Sequence, residues 1–316
     1  MVTPYIRRSY RNFYVLLIKV YRWANNLEPR DLTENIYLFS DPRGGSSWLS
    51  QILENVDNRT VIWEPFHPTR GLLKPSLGLN SKNGSRFSIP ENVEWPEARE
   101  QFESIFKGEK INGYSISATP SKYFIDKPYV VKFIRANGAL PWITKQFDIK
   151  AIHLLRHPIS TALSQIKAFK SKRTTGPLKI PNLRYTEHYA IHFEFLQTLS
   201  SHLENQVALW CIHNKEALDH KDKKWYTLYY EELLIDPVKE LTKINSFCDF
   251  SNTEVLKEAM SKKSRTDFAG DLRKSTTEQL SKWRNFVSDV ELNQVQRVLD
   301  YFEIKIYSTS SDRPII

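Results

Sequence analysis

The sequence predicts an α/β fold, a central parallel sheet flanked by helices in a single domain. Three observations carry that expectation. Short runs rich in β-branched and aromatic residues alternate with segments of helical periodicity. The first such run leads directly into a glycine-rich turn, DPRGGSSW (41–48), that opens a helix. A later run ends in RHP (156–158), where an arginine closes the strand and a proline begins the next helix.

Taken in order, the first thirty residues read as a basic amphipathic helix. Tyr10, Phe13, Tyr14, Leu17 and Tyr21 recur at helical spacing among Arg7, Arg8, Arg11 and Arg22. Its apolar run, Phe13 to Ile18, ends at Lys19 and is far short of the roughly 20 residues a bilayer requires. No small-residue cleavage site follows. Residues 5–24 therefore offer either a helix packed on its own domain or a peripheral contact with an anionic membrane.

The domain proper is read as 31–316. Strands are expected at 36–39, 60–63, 129–133, 151–155 and 225–229. Helices are expected at 45–56, 138–146, 158–170, a long one near 186–219, then 237–248, 252–262 and 289–301. Proline and glycine punctuate 69–127, which reads as an irregular insertion over one end of the sheet on the substrate side. Residues 171–184 (SKRTTGPLKIPNLR) form a basic, turn-rich loop with the character of a lid. On the long helix, Leu199, Leu203, Val207 and Trp210, with Phe193 and Phe195, have the spacing of a core face. His188 and His192 lack the glutamate of a zinc-binding HExxH pattern and read as structural.

Lysine and arginine total 45 against 36 acidic residues, a net charge of +9. That suits a polyanionic partner, whether nucleotide, nucleic acid, acidic glycan or membrane surface, without selecting one. The only cysteines, Cys211 and Cys248, are far apart and lack metal-ligand spacing. Neither a disulfide framework nor a zinc site is indicated, and a reducing, cytoplasmic compartment is the expectation.

Chemistry concentrates in two segments. In the first, Gly44 and Gly45 let backbone N–H groups turn toward an anion at a helix N-terminus, Ser46 and Ser47 add hydroxyls, and Arg43 adds a cationic fork. A serine-capped helix start would account for that segment taken alone. The second, AIHLLRHPISTALS (151–164), puts Arg156 at a strand end and Ser164 about two helical turns later. In an open α/β sheet both lie at the carboxyl edge, where ligands bind.

Together, PRGGSSW and RHPISTALS resemble the two cofactor motifs of sulfotransferases that use 3′-phosphoadenosine 5′-phosphosulfate (PAPS). That resemblance implies a P-loop-type fold. Arg43, Gly45, Ser46, Ser47 and Trp48 match the motif that cradles the 5′-phosphosulfate, with Gly44 replacing its usual serine. Arg156 and Ser164 match the pair that holds the 3′-phosphate. LYYEELLIDP (228–237) is similar to the family segment whose tyrosine contacts adenine, which implies Tyr230. VVKF (130–133) is similar to the strand whose lysine bridges to the sulfuryl group, which implies Lys132. The tail 277–295 is similar to a Gly-x-Trp-Lys stretch but lacks its glycine-rich part, leaving Arg273 and Lys274 as candidate substitutes at the 3′-phosphate.

The base departs from the pattern of aryl and steroid sulfotransferases, which place a histidine two residues after the strand lysine. Ile134 occupies that position here. Similarity to carbohydrate-type members instead implies Glu64, in WEPFHP (63–68), with His67 as the fallback. A base working near neutrality requires Glu64 to have a raised pKa, and burial beside Trp63 and Phe66 is the expected cause.

The reading is sulfuryl transfer from PAPS, releasing adenosine 3′,5′-bisphosphate (PAP), to a hydroxyl or nitrogen of a small-molecule or sugar acceptor. Natural-product and carbohydrate types resemble it more than the histidine-base type. Two separate anions need two anion sites and no metal, and the strand before Arg156 has no acidic end to hold magnesium. Nucleic acid is not the expected partner. The rival readings are a nucleotide kinase or ATPase with a degenerate phosphate loop, and a non-catalytic polyanion-binding protein.

Overall fold

The computed structural model describes residues 4–29, 31–79, 86–169, 176–250 and 276–316, with side chains from Tyr10 onward. Five strands are present: β1 (Ile36–Ser40), β2 (Thr60–Trp63), β3 (Tyr129–Phe133), β4 (Lys150–Leu155) and β5 (Trp225–Tyr229). All five sequence-predicted strands form. They pair entirely in parallel, in the order β2-β3-β1-β4-β5. This is the α/β sheet that the alternating pattern implies, and its five carboxyl ends share one edge.

The strands are buried on both faces, so they read as continuous apolar runs rather than alternating ones. Alternation still decides which layer each side chain enters. Ile36 and Leu38 of β1 pack with Leu49, Ile52 and Leu53 of α2 (Ser46–Asn55). Tyr37 and Phe39 enter the opposite layer with Phe102, Ile105 and Phe106 of α3 (Pro96–Phe106) and Trp142 of α4 (Leu140–Gln146). By the same alternation Val130 and Lys132 of β3 share a face, and Lys132 emerges beside α2 at 1% exposure.

A third cluster joins α5 (Pro158–Phe169) to a helix at Asp289–Tyr301 and the final segment through Val298, Phe302 and Tyr307. The expected long helix over 186–219 is three pieces, α6 (Glu187–Ala190), α7 (Phe193–Gln197) and α8 (His202–Asp219). The break is chemical. Ser201 starts α8 with a capping box, its hydroxyl accepting from Glu204 N–H while the Glu204 carboxylate reaches back to Ser201 N–H. In consequence Phe193 is half-exposed, whereas Leu199, Leu203, Val207 and Trp210 are buried as the spacing predicts.

Within 69–127 the structure holds α3, whose first residue is Pro96. Phe102 and Phe106 reach the aromatic cluster around Phe66 and Phe133, so this region builds core under the sheet edge. After β5 come α9 (Tyr230–Ile235) and α10 (Pro237–Cys248). The helix expected at 252–262 lies outside the described residues.

Helix α1 (Pro4–Ala24) packs one narrow face on the domain. Ile18 is fully buried, and Tyr14 and Val15 lie against the α3-side core. Tyr10, Phe13, Leu16, Val20 and Trp23 are each more than half exposed, so the apolar spacing read from the sequence serves two surfaces. Among the described residues no helix is long and apolar enough to cross a membrane.

Candidate active site

Every strand delivers a sequence-predicted residue to the shared carboxyl edge. Arg43 follows β1, Glu64 follows β2, Lys132 lies one residue before the end of β3, Arg156 follows β4 and Tyr230 follows β5. The parallel register does this without long side-chain reach, since Leu38 pairs with Lys132 and Ser40 with Leu154.

The phosphate-type loop is tightly built. Gly44 N–H donates to Asp41 carbonyl, and Gly45 carbonyl accepts from Trp48 and Leu49 N–H as α2 begins. By position, the N–H groups of Ser46 and Ser47 lack an acceptor within the helix. Gly45 has φ of 99°, and a methyl group there would lie 2.5 Å from the Tyr230 ring. At Gly44 a side chain would meet the Ser40 hydroxyl at 2.5 Å and the Asp41 carbonyl at 3.0 Å, so it would need Ser40 to turn aside. Gln165 secures the loop by donating to Pro42 carbonyl at 2.7 Å.

Arg43 itself is left-handed, with φ of 68°. Its Nε donates to Ser164 Oγ at 3.0 Å, and its carbonyl accepts from Arg156 at 3.2 Å. The Arg156 guanidinium lies 4.5 Å over the Tyr230 ring, which in turn meets Trp48 edge-on at 6.1 Å. The two sequence motifs, more than a hundred residues apart, thus interlock through Arg43, Arg156 and Ser164. Glu231 reinforces the second motif, accepting from His157 N–H at 2.8 Å and from Tyr307 hydroxyl at 2.9 Å. Trp283 stacks on the His157 ring at 4.8 Å.

Beside this cluster stands a buried ion pair. Lys132 Nζ donates to Glu64 at 3.1 Å and to Ser47 Oγ at 3.1 Å, and it lies 3.5 Å over the Trp63 ring. Tyr114 donates its hydroxyl to the other Glu64 oxygen at 2.6 Å. Burial moves Lys132 down to about 8, and Glu64 opposes that shift. The expectation that Glu64 is raised does not hold. Burial pushes it up, but Lys132, the Tyr114 hydroxyl and Arg135 outweigh burial and leave its pKa below the usual value. Trp63 and Phe66 do not form an apolar wall around the carboxylate. Trp63 sits over Lys132, while Phe66 is in the α3-side core.

His67 is also close, its ring 5.0 Å edge-on to Tyr114. Backbone N–H groups of Thr69 and Arg70 approach Nδ1 at 3.2 Å each, and Arg70 approaches Nε2 at 2.9 Å. Burial, then Arg70 and Arg135, lower its pKa to about 4. Donors face both ring nitrogens, while a neutral imidazole can accept at only one, so a second proton on the ring is opposed.

A protein-family model described as the sulfotransferase family matches residues 35–254. The chain belongs to the sulfotransferase family. Three solved structures are among those to which this chain is similar. The sulfotransferase domain of the Synechococcus PCC 7002 olefin synthase is 18% identical, with a TM-score of 0.42 over 89% of this chain and 99% of that one. The sulfotransferase domain of the curacin biosynthetic pathway is 14% identical, with a TM-score of 0.46 over 87% and 99%. Mouse sulfotransferase SULT7A1, solved with PAP, is 18% identical, with a TM-score of 0.41 over 86% and 84%. No curated protein matches the sequence.

Of the sequence-predicted residues, Arg43 to Trp48, Glu64, His67, Lys132, Arg156, Ser164 and Tyr230 gather at this edge. Arg273 and Lys274 lie outside the described residues. Tyr114, Arg70 and Arg135 were not legible as site residues, since no motif spacing ties 69–127 or Arg135 to Glu64. Glu231, by contrast, adjoins Tyr230 in YYEEL and was within reach of the pattern.

Gly45→Ala should destabilise this sulfotransferase by about 1–3 kcal/mol in urea denaturation, through its positive φ and the Tyr230 contact. Adding Tyr230→Ala should remove only the contact part. A Gly45→Ala protein as stable as the parent would mean that the loop readily adopts another conformation.

Proposed function

We propose that this sulfotransferase moves the sulfuryl group of PAPS to a hydroxyl or nitrogen of a small-molecule or carbohydrate acceptor. The observation that carries the reading is the meeting of two anion-binding segments, Arg43 to Ser47 and Arg156 with Ser164, beside a buried lysine–carboxylate pair. The residues suit such a donor. A glycine turn too close-packed for side chains leaves its backbone open, and a second cationic cluster lies next to it.

Arg43, Ser46, Ser47 and the first-turn amides of α2 would hold the phosphosulfate. Arg156 and Ser164 would hold the 3′-phosphate, and Tyr230 with Trp48 the adenine. Bound there, PAPS supplies an electrophilic sulfur and a bisphosphate leaving group. Glu64 accepts the acceptor's proton as the acceptor atom bonds to sulfur. The bond so formed would be balanced by loss of the 5′-phosphate oxygen with its electron pair, as PAP. Lys132 opposes the negative charge growing on that phosphate. Since Lys132 reaches both Ser47 and Glu64, its shift toward the loop would free the carboxylate and raise its proton affinity. Glu64 is favoured over His67 because the histidine ring faces donors on both nitrogens.

The surface of α1 supports peripheral contact with an anionic membrane. Tyr10, Phe13, Leu16, Val20 and Trp23 form one exposed stripe, with exposed Arg11 and Lys19 on the same helix and no acidic residue between Pro4 and Ala24.

Calorimetric titration with PAP should show tight, magnesium-independent binding. Arg156→Ala should weaken it roughly 10–100-fold, the value of a charge-assisted hydrogen bond. Preference for magnesium-ATP would instead support the kinase reading. The pH profile tests the pair. Catalysis needs Glu64 ionised and Lys132 charged, so kcat/KM should be sustained below about 8 and fall as pH rises through that value. Lys132→Arg should remove the alkaline limb, and Glu64→Gln should abolish turnover while PAP still binds. A limb unmoved by Lys132→Arg assigns it to another group. Vesicles containing phosphatidylserine should sediment the protein, phosphatidylcholine vesicles should not, and Trp23→Asp with Phe13→Asp should abolish the difference. Equal binding to both vesicles would rule out the charge-guided contact.

A further inference from the structure

The loop that carries Glu64 and His67 continues to Arg70 and closes on itself. His67 N–H donates to Glu64 carbonyl at 3.0 Å, Gly71 N–H to His67 carbonyl at 2.8 Å, and Leu72 N–H to Pro65 carbonyl at 2.6 Å. A side chain at Gly71 would collide with the carbonyls of Pro65 and His67, so only glycine allows this closure. Asn112 donates to the carbonyls of Arg70 and Gly71 at 3.0 and 3.1 Å. The backbone of Arg70 is therefore held from both sides.

Its side chain is also held, although the residue is exposed. The guanidinium lies 4.3 Å over the Tyr114 ring and 2.9 Å from His67 Nε2. The hydroxyl of that same tyrosine touches Glu64. Arg70 thus stands about one phenol ring away from the carboxylate. Among the described residues, no acidic side chain lies within ion-pair distance of Arg70. The acid nearest in this network, Glu64, is engaged with Lys132 at 3.1 Å. Arg135 adds positive charge to the same neighbourhood, acting on both Glu64 and His67. A surface arginine usually moves freely and finds a carboxylate or water. This one is fixed against an aromatic ring beside Glu64, with no carboxylate partner among the described residues.

We propose that Arg70, presented on Tyr114, binds an anionic group of the acceptor, a carboxylate or an existing sulfate or phosphate ester, and orients the neighbouring nucleophile toward Glu64. The proposal rests on the sulfotransferase reading of the same edge and narrows its acceptor class to acids. A planar guanidinium pairs such oxyanions in a fork that lysine cannot reproduce. The net charge of +9 would also draw acidic acceptors toward the protein.

Matched pairs test this without knowledge of the natural acceptor. The probes are 4-nitrophenyl β-D-glucuronide against 4-nitrophenyl β-D-glucoside, and 4-hydroxybenzoate against 4-hydroxybenzyl alcohol. Affinities are measured by calorimetry on the protein with and without saturating PAP. The acid of at least one pair should bind roughly tenfold or more tightly than its neutral partner. Arg70→Gln should erase that preference, Arg70→Lys should restore only part of it, and PAP affinity should be the same in all three proteins. Two results would overturn the proposal: no acid preference in either pair, or a loss of PAP affinity in Arg70→Gln with the acid preference intact. The latter would place Arg70 on the sulfuryl donor. Failure of PAP to bind the parent protein would count against the donor reading alone, because the acid–neutral comparison without PAP is scored separately.

Discussion

The contact between Lys132, Glu64 and Ser47 is the constraint on which the site depends. It ties the end of β3, the turn after β2 and the first turn of α2 through one ammonium group at 1% exposure. A cation so deeply placed persists only because a carboxylate, a hydroxyl and the face of Trp63 surround it. Removing one partner of such a pair costs about 3–5 kcal/mol, because the other charge is left buried. The pair is therefore a clamp on the sheet edge, and Lys132 holds a positive charge beside the loop.

Two residues at the same edge are strained. Arg43 and Glu64 both hold a positive φ without being glycine, at 68° and 42°. Left-handed backbone costs such residues about 1–3 kcal/mol and survives where the surroundings over-determine it. For Arg43 those surroundings are Ser164 and Arg156, and for Glu64 they are Lys132 and Tyr114. Each strained residue turns its side chain from its own strand end toward a neighbouring one.

The fold reaches the site through layers that have little polarity of their own. Period-two alternation sends Tyr37 and Phe39 to one side of the sheet and Ile36 and Leu38 to the other. The same alternation leaves Lys132 facing α2 and not the α3 layer. Behind the second motif, Glu231 joins His157 to Tyr307, so the C-terminal segment buttresses the arginine at the end of β4. Family membership and fold set the general chemistry as sulfuryl transfer, while the surroundings of Arg70 and Tyr114 bear on what receives the group.

Much of this was legible in the linear chain. Five strands, the glycine turn and the Arg156–Ser164 interval follow from local patterns, because parallel strands buried on both faces must be apolar and short, and a phosphate-type turn needs glycine. The break of the predicted 186–219 helix was also local, in the Ser201–Glu204 capping box, but strong helical spacing on both sides obscured it. What tertiary structure alone decided are relations between distant residues. Tyr114 reaches Glu64 across fifty positions, and Lys132 sets the direction of the Glu64 shift from sixty-eight positions away. Neighbouring aromatic residues suggested burial and a raised pKa, but the sign was determined by a charge from another strand. Residue types in the sequence determined that glycine, serine and arginine residues gather at this edge; proximity in space determined which charges face one another across it.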